Sequence, residues 1–345
     1  MAARTFMKPT TPTKQKMVTV ELPESAYKLY RSLLDRPAIN AIPNEDLPCY
    51  GMADNNIELY PYPPETQKKE GVPAGEMRFG KMEDCAAYPG VSHDYAVYIP
   101  AGLANGEPAN LLVLPDMVYY LIDEYYPMHL STMMDNLIAQ GDIPKTVVLL
   151  VGVGDSGPGI PVYGANPAAG LMPDNRSVEY DNVDDRFATF LVEEVMPVAL
   201  EGLSISDNPA DVCILGTSSG GHAALAAAWH RNDVFGAVAG VSATLVDVRG
   251  GSVWPRAIRA SAKKNLKVFL AAGECDMNTL LGDFLLGNRQ VFSALQYKGY
   301  KAKLIVAKCG HTLNYLGHII PTALRYIWGN VNVYPEHSEV YTAGE

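Results

Sequence analysis

From residue 94 onward the chain repeats one alternation. A short apolar run comes first, then a break rich in Gly, Pro or Asp, then a segment whose apolar residues recur every three or four positions. The runs are DYAVYIP (94–100), LLVLPD (111–116), TVVLLVGVG (146–154), VCILG (212–216), FGAVAGVSA (235–243), LKVFLAAGE (266–274) and AKLIVAK (302–308). Several are continuously apolar, as strands covered on both faces must be. Helical patterns fall between them. Residues 185–200 put Phe187, Phe190, Leu191 and Val195 on one face, 221–230 is almost wholly Ala and apolar, and 288–297 and 316–328 are amphipathic. Strands alternating with helices predict a mostly parallel sheet with helices on both sides. Before residue 80 the texture differs: Pro and turn residues dominate, with one expected helix in SAYKLYRSLLD (25–35).

One junction carries chemistry. In VCILGTSSGGHAALAAAWH, Gly216-Thr217-Ser218-Ser219-Gly220 fits G-x-S-x-G, with a strand before it and a helix after it. That context defines a nucleophile elbow. So sharp a turn leaves no room for side chains two positions either side of the nucleophile, and Gly216 and Gly220 remove them. The turn lifts Ser218 over the C-terminal edge of the sheet, at a helix N-terminus that favours developing negative charge. Ser219 follows the nucleophile, so its N–H is the first expected oxyanion donor. The blander reading is a small-residue turn that lets strand and helix pack closely.

A serine needs a base, and the base needs an orienting acid. His311, in KCGHTLNYLGH, lies between the last apolar run and the last helix. His318, inside that helix, and His222, beside the elbow, are its rivals; His93, His129, His230 and His337 lie off the expected edge. For the acid, the loop GECDMN offers Asp276 first, Glu274 second and Asp283 third. The order Ser218, Asp276, His311 is that of an α/β-hydrolase. The second oxyanion donor is expected from the loop after 111–114, at the N–H of Met117 or Asp116. Tyr119, Tyr120, Tyr125 and Tyr126 follow and either wall a substrate pocket or pack against the N-terminal segment.

Composition narrows the partners. The 345 residues carry 27 Lys and Arg against 38 Asp and Glu, a formal charge of −11. That argues against nucleic acid or an anionic membrane, and no apolar run reaches the roughly 18 residues of a membrane span. The N-terminus has no apolar h-region, so the cytoplasm is the expected location. Cys49, Cys85, Cys213, Cys275 and Cys309 show no metal-ligand spacing, and no metal is expected. Cys275 and Cys309 flank the acid and the base, so they either pair or stay as inert thiols. Gly152-Val-Gly154-Asp-Ser-Gly157 matches the dinucleotide fingerprint G-x-G-x-x-G, but Pro158, Gly159 and Pro161 follow where a helix must start. It reads as a loop at the sheet edge.

Over 88–329 the chain resembles the enterochelin-esterase-like branch of the α/β-hydrolases, related to the esterase D and feruloyl esterase group. YPGVSHDYAVYIP, NLIAQGDIP, NRSVEYDNVDDRFATFLVEEVMP, ILGTSSGGHAALAAAWHRNDVFG, VRGGSVWPRAIR, GNRQVFSALQYKGY and CGHTLNYLGHIIPTALRYIWG carry the resemblance. It implies a three-layer α/β-hydrolase sandwich and a cofactor-free serine hydrolase of small carboxylic esters. It assigns Ser218 as nucleophile, His311 as base and Asp276 as acid, and it places Arg249 near the substrate. Asp116, Tyr119, Tyr120 and Trp254 are further expected substrate contacts. Three segments depart from the family: Leu114-Pro115-Asp116-Met117, Asp276-Met277-Asn278-Thr279 and Cys309-Gly310-His311. The expected organisation is an extension at 1–80, packed over the site or at a homodimer interface, a catalytic domain at 81–335 and a tail at 336–345. A lactone hydrolase or acyltransferase on the same triad is the alternative enzyme; a catalytically silent binding protein is the alternative from another class.

Overall fold

A computed structural model describes residues 60–121, 123, 127–154, 160–161, 171–172, 175–279, 281–329, 333–336 and 338–344. The helix expected at 25–35 and the tyrosines at 125 and 126 lie outside them. Nine strands form the main sheet among the described residues: β1 (Glu76–Met82), β2 (His93–Ile99), β3 (Asn110–Pro115), β4 (Thr146–Val151), β5 (Val212–Thr217), β6 (Ala237–Val241), β7 (Lys267–Cys275), β8 (Lys301–Gly310) and β9 (Ser338–Ala343). Their spatial order is β1-β2-β4-β3-β5-β6-β7-β8-β9. The six from β4 to β8 are mutually parallel, whereas β1, β2 and β9 run antiparallel to their neighbours. All seven apolar runs are strands.

The helices are α1 (Val118–Leu121), α2 (Leu130–Ala139), α3 (Arg176–Tyr180), α4 (Arg186–Thr189), α5 (Met196–Ala199), α6 (Ser219–His230), α7 (Trp254–Ala260), α8 (Phe284–Tyr297) and α9 (Leu313–Trp328). The helix expected at 185–200 is α4 and α5 joined by a π-helical run, Phe190–Val195. Alternate residues of each strand feed two cores. Leu111 and Val113 of β3 point to the side of α6 and α8, with Phe190, Trp229 and Val291. Leu112 and Leu114 point to the side of α2 and α9, with Met133, Met134, Ile319 and Leu324. These are three layers with the sheet in the middle, an α/β-hydrolase sandwich. No helix of the described residues is long and apolar enough to cross a membrane.

The sheet reaches past both expected outer boundaries. The sheet begins at Glu76, before residue 81, because EMRFGKM pairs with β2 along the edge. It ends beyond residue 335, because SEVYTA pairs with β8 as the other edge. Both segments are polar and half-exposed, and so lack the apolar run that marks a central strand. The described part of the expected extension is also fastened to the body. Asn136 Nδ2 donates to the carbonyls of Glu65 and Gln67 at 2.7 and 2.9 Å. Arg325 of α9 pairs with Glu65 and with Asp142. Tyr60 packs edge-on against Tyr315 and His318.

Candidate active site

The elbow is built from backbone that only small residues permit. Ser218 sits between β5 and α6 at φ 55°, ψ −126°, a region costly for any residue with a Cβ. A Cβ on Gly216 would come within 2.2 Å of the Gly220 carbonyl oxygen, and one on Gly220 within 2.7 Å of Asp116 Oδ2. The two glycines therefore clear the opposite arm of the turn and the neighbouring β3 loop. Ser218 is partly buried, and its amide is tied to the Val241 carbonyl at 3.0 Å. Ser219 opens α6, ahead of the Gly221 and His222 amides, which donate to the Ser218 carbonyl at 3.0 and 3.1 Å.

The two other residues meet across adjacent strand ends. Asp276 follows β7, His311 follows β8, and β7 and β8 are hydrogen-bonded neighbours. His311 Nδ1 lies 2.6 Å from Asp276 Oδ1, with the carboxylate fully buried and the imidazole 13% exposed. Nδ1–H donating to the carboxylate turns Nε2 outward. Burial pushes the Asp276 carboxyl up, but the His311 charge and hydrogen bond outweigh it, with the Ser242 hydroxyl and the Met277 N–H, and hold the group below its ordinary value. Phe284 stands edge-on to the His311 ring at 5.3 Å.

The rivals are occupied elsewhere. Glu274 is exposed, and Asp283 caps α8 through the Leu286 N–H. His318 Nδ1 donates to the Pro61 carbonyl. His222 is buried, with Nδ1 donating to the Tyr180 carbonyl at 2.7 Å and Nε2 accepting the Trp254 indole N–H at 2.9 Å. Burial pushes the His222 imidazole below its ordinary value, against the opposing pull of Tyr180 and Asp181. The unfolded chain takes a proton there near pH ~6.5, and the folded chain only at lower pH. Its contribution to stability is therefore complete above that pH and lost as pH falls through the folded value. Thermal melts from pH 8 to 5 should show the Tm falling below pH ~6.5, and His222→Gln should flatten that slope. An equally steep slope in the variant would refute the assignment.

Several expected contacts are placed differently. Trp254 is buried, bonded to His222 and packed on Trp229. The Asp116 carboxylate is taken by Arg176 of α3 in a two-pronged pair at 2.8 and 2.7 Å. Its amide donates to the Tyr180 hydroxyl at 3.1 Å. The Met117 amide donates to the Val151 carbonyl at 3.2 Å, prolonging the β3–β4 ladder, and its side chain lies in the core. Both amides expected to serve the oxyanion are thus engaged within the fold, that of Met117 in the sheet and that of Asp116 on α3. Tyr120 is buried and Tyr119 partly so. Arg249 is exposed on the loop after β6, its Nε donating to Ser177 Oγ at 3.2 Å. Cys309 keeps a free buried thiol, so it does not pair with Cys275.

The glycine fingerprint also has a physical explanation. Buried Glu179 of α3 accepts the Gly154 N–H at 3.1 Å and faces His93 Nε2 at 3.1 Å. A Cβ on Gly154 would lie 2.2 Å from Glu179 Oε1, so glycine is needed for close approach. The next described residues form a short strand pair, Ile160–Pro161 with Leu171–Met172, where the fingerprint would require a helix. Among the described residues no cluster of three or more His, Cys, Asp or Glu could hold a metal ion.

The family model described as "Putative esterase" matches residues 88–325, more than half of the chain. The chain belongs to this esterase family. The esterase is accordingly a carboxylic ester hydrolase on an α/β-hydrolase fold. Among curated proteins, none matches it. Among solved structures it is similar to a ferulic acid esterase, with TM-score 0.57 and 17% identity, covering 74% of this chain and 98% of that one. An enterochelin esterase from Shigella flexneri gives 0.57 and 18%, covering 76% of this chain and 59% of that one. A ferulic acid esterase from Anaeromyces mucronatus gives 0.55 and 15%, covering 76% and 96%. At such identities the likeness is one of fold.

Proposed function

We propose that the esterase works through an acyl-enzyme on Ser218, with His311 as general base and Asp276 as the orienting acid. The observation that carries this reading is the 2.6 Å contact from His311 to a buried carboxylate, on strand ends that share an edge with the strained Ser218. His311 Nε2 takes the Ser218 proton as Oγ attacks the ester carbonyl. The tetrahedral oxyanion forms against the Ser219 amide at the start of α6, where the helix dipole favours negative charge. Imidazolium then protonates the departing alcohol, and Asp276 stabilises the positive ring meanwhile. Water, deprotonated by the same His311, releases the acid and restores Ser218.

The substrate is a small-molecule ester. The relatives named for ferulic acid and enterochelin suggest aromatic acyl groups as the first to try. A fluorophosphonate probe tests the reading directly: it should label the folded protein once, at Ser218, as mapped by peptide mass. Labelling at another residue, or none with esterase activity intact, would exclude Ser218 as nucleophile.

A further inference from the structure

The loop after β6, Ser242-Ala243-Thr244, has no part in the chemistry just described, yet it touches both ends of the triad. Its first residue is buried at φ 46°, and its amide donates to the Ala271 carbonyl at 2.7 Å. The Ser242 side chain faces the Asp276 carboxyl and is one of the groups that hold it below its ordinary value. Two residues on, the Thr244 amide donates to the Ser218 carbonyl at 3.0 Å, and Thr244 Oγ1 lies 3.5 Å from Ser218 Oγ. Ala243 between them is clamped. Its carbonyl accepts from Asn288 Nδ2 at 2.9 Å, and a Cβ on Gly221 would meet its Cβ at 2.9 Å. Three residues thus span from the acid to the nucleophile, fixed at every step by buried contacts.

We infer that this loop is a positioning arm of the triad, Ser242 acting through Asp276 and Thr244 through the Ser218 hydroxyl. The inference rests on the acyl-enzyme reading above. Each hydroxyl has a distinct task. Asp276 already accepts from His311 and from the Met277 N–H, and Ser242 adds a further donor that fixes the carboxylate plane toward Nδ1. Ser218 can give its proton to His311 only if its own hydrogen points away from Thr244. In the reactive arrangement Thr244 is therefore the donor, steadying Oγ while leaving its proton free for the base. That role needs a hydroxyl and not the Thr methyl.

The test is a set of point variants assayed with p-nitrophenyl acetate, each first titrated with the fluorophosphonate probe to count folded, competent sites. Ser242→Ala keeps a Cβ at the same strained φ and removes only the hydroxyl. Its kcat should fall about tenfold with KM little changed, the loss of one donor to a charged group. The acid limb of its kcat/KM profile should also move to higher pH. A carboxylate stripped of a donor presents more negative charge to His311, which then holds its proton more tightly. The other titratable groups acting on this pair are Cys309 on β8 and Tyr315 on α9, both kept neutral by burial. Neither is altered by the substitution.

Thr244→Val, equal in shape, should lower kcat/KM several-fold, and Thr244→Ser should recover most of that loss. Kinetics of both hydroxyl deletions within twofold of wild type, or equal losses in Thr244→Val and Thr244→Ser, would overturn the inference. Should Ser242→Ala not fold, the Thr244 pair decides alone. Failure of the wild-type protein to label at Ser218 would instead reject the acyl-enzyme reading itself.

Discussion

Ser218→Ala is expected to lower kcat for p-nitrophenyl acetate by roughly three to six powers of ten, because the members of a triad act as a unit. The variant keeps a Cβ at φ 55°, so the elbow strain is unchanged and the fold should melt within a degree or two of wild type. What remains should be the modest rate given by amides alone, now acting on attack by water. Ser219 cannot substitute, because it is buried at the start of α6. Retention of wild-type turnover by Ser218→Ala would move the nucleophile elsewhere. A large loss accompanied by a large fall in Tm would show instead that Ser218 serves the fold.

The largest effect on stability is expected at Glu179, remote from the proposed chemistry. Its carboxylate and the His93 ring are wholly buried and meet at 3.1 Å, and the Gly154 N–H is bound to the same group. Removing one member of such a pair leaves the other groups desolvated and unpaired. Glu179→Ala should therefore cost about 3–5 kcal/mol in equilibrium denaturation, whereas a surface Glu→Ala costs well under one. Glu179→Gln retains an acceptor for Gly154 and should lie between the two. A loss below about 1 kcal/mol in the Ala variant would mean that water enters and satisfies the site.

The central strands and the elbow were legible because their physics is local. Apolar runs mark strands buried on both faces, and G-x-S-x-G marks a turn with no room for side chains. The pairing of Asp276 with His311 was legible from chain order alone, since both follow strands that a parallel sheet must bring to one edge. The edge strands were not, because EMRFGKM and SEVYTA bury too little to show a pattern. The fates of Met117, Asp116 and Trp254 were also hidden. Each depends on a partner far along the chain: Val151 for the Met117 amide, Arg176 for the Asp116 carboxylate, His222 for the Trp254 indole. Trp254 stands in a half-polar segment, SVWPRAIR, and nothing local shows that His222 buries with it. The Ser242–Thr244 loop carries no motif, so only the fold reveals what it touches.

Of the five non-glycine residues at positive φ among the described ones, three, Asp116, Ser218 and Ser242, directly follow the C-terminal ends of β3, β5 and β6. Each such residue costs about 1–3 kcal/mol, which the surrounding structure must offset. The tension of the molecule is thus concentrated along one rim, and the well-packed strands and helices beneath it act as the spring seat. A chain selected for hardiness alone would relax that rim, and in doing so it would blunt the tool it carries.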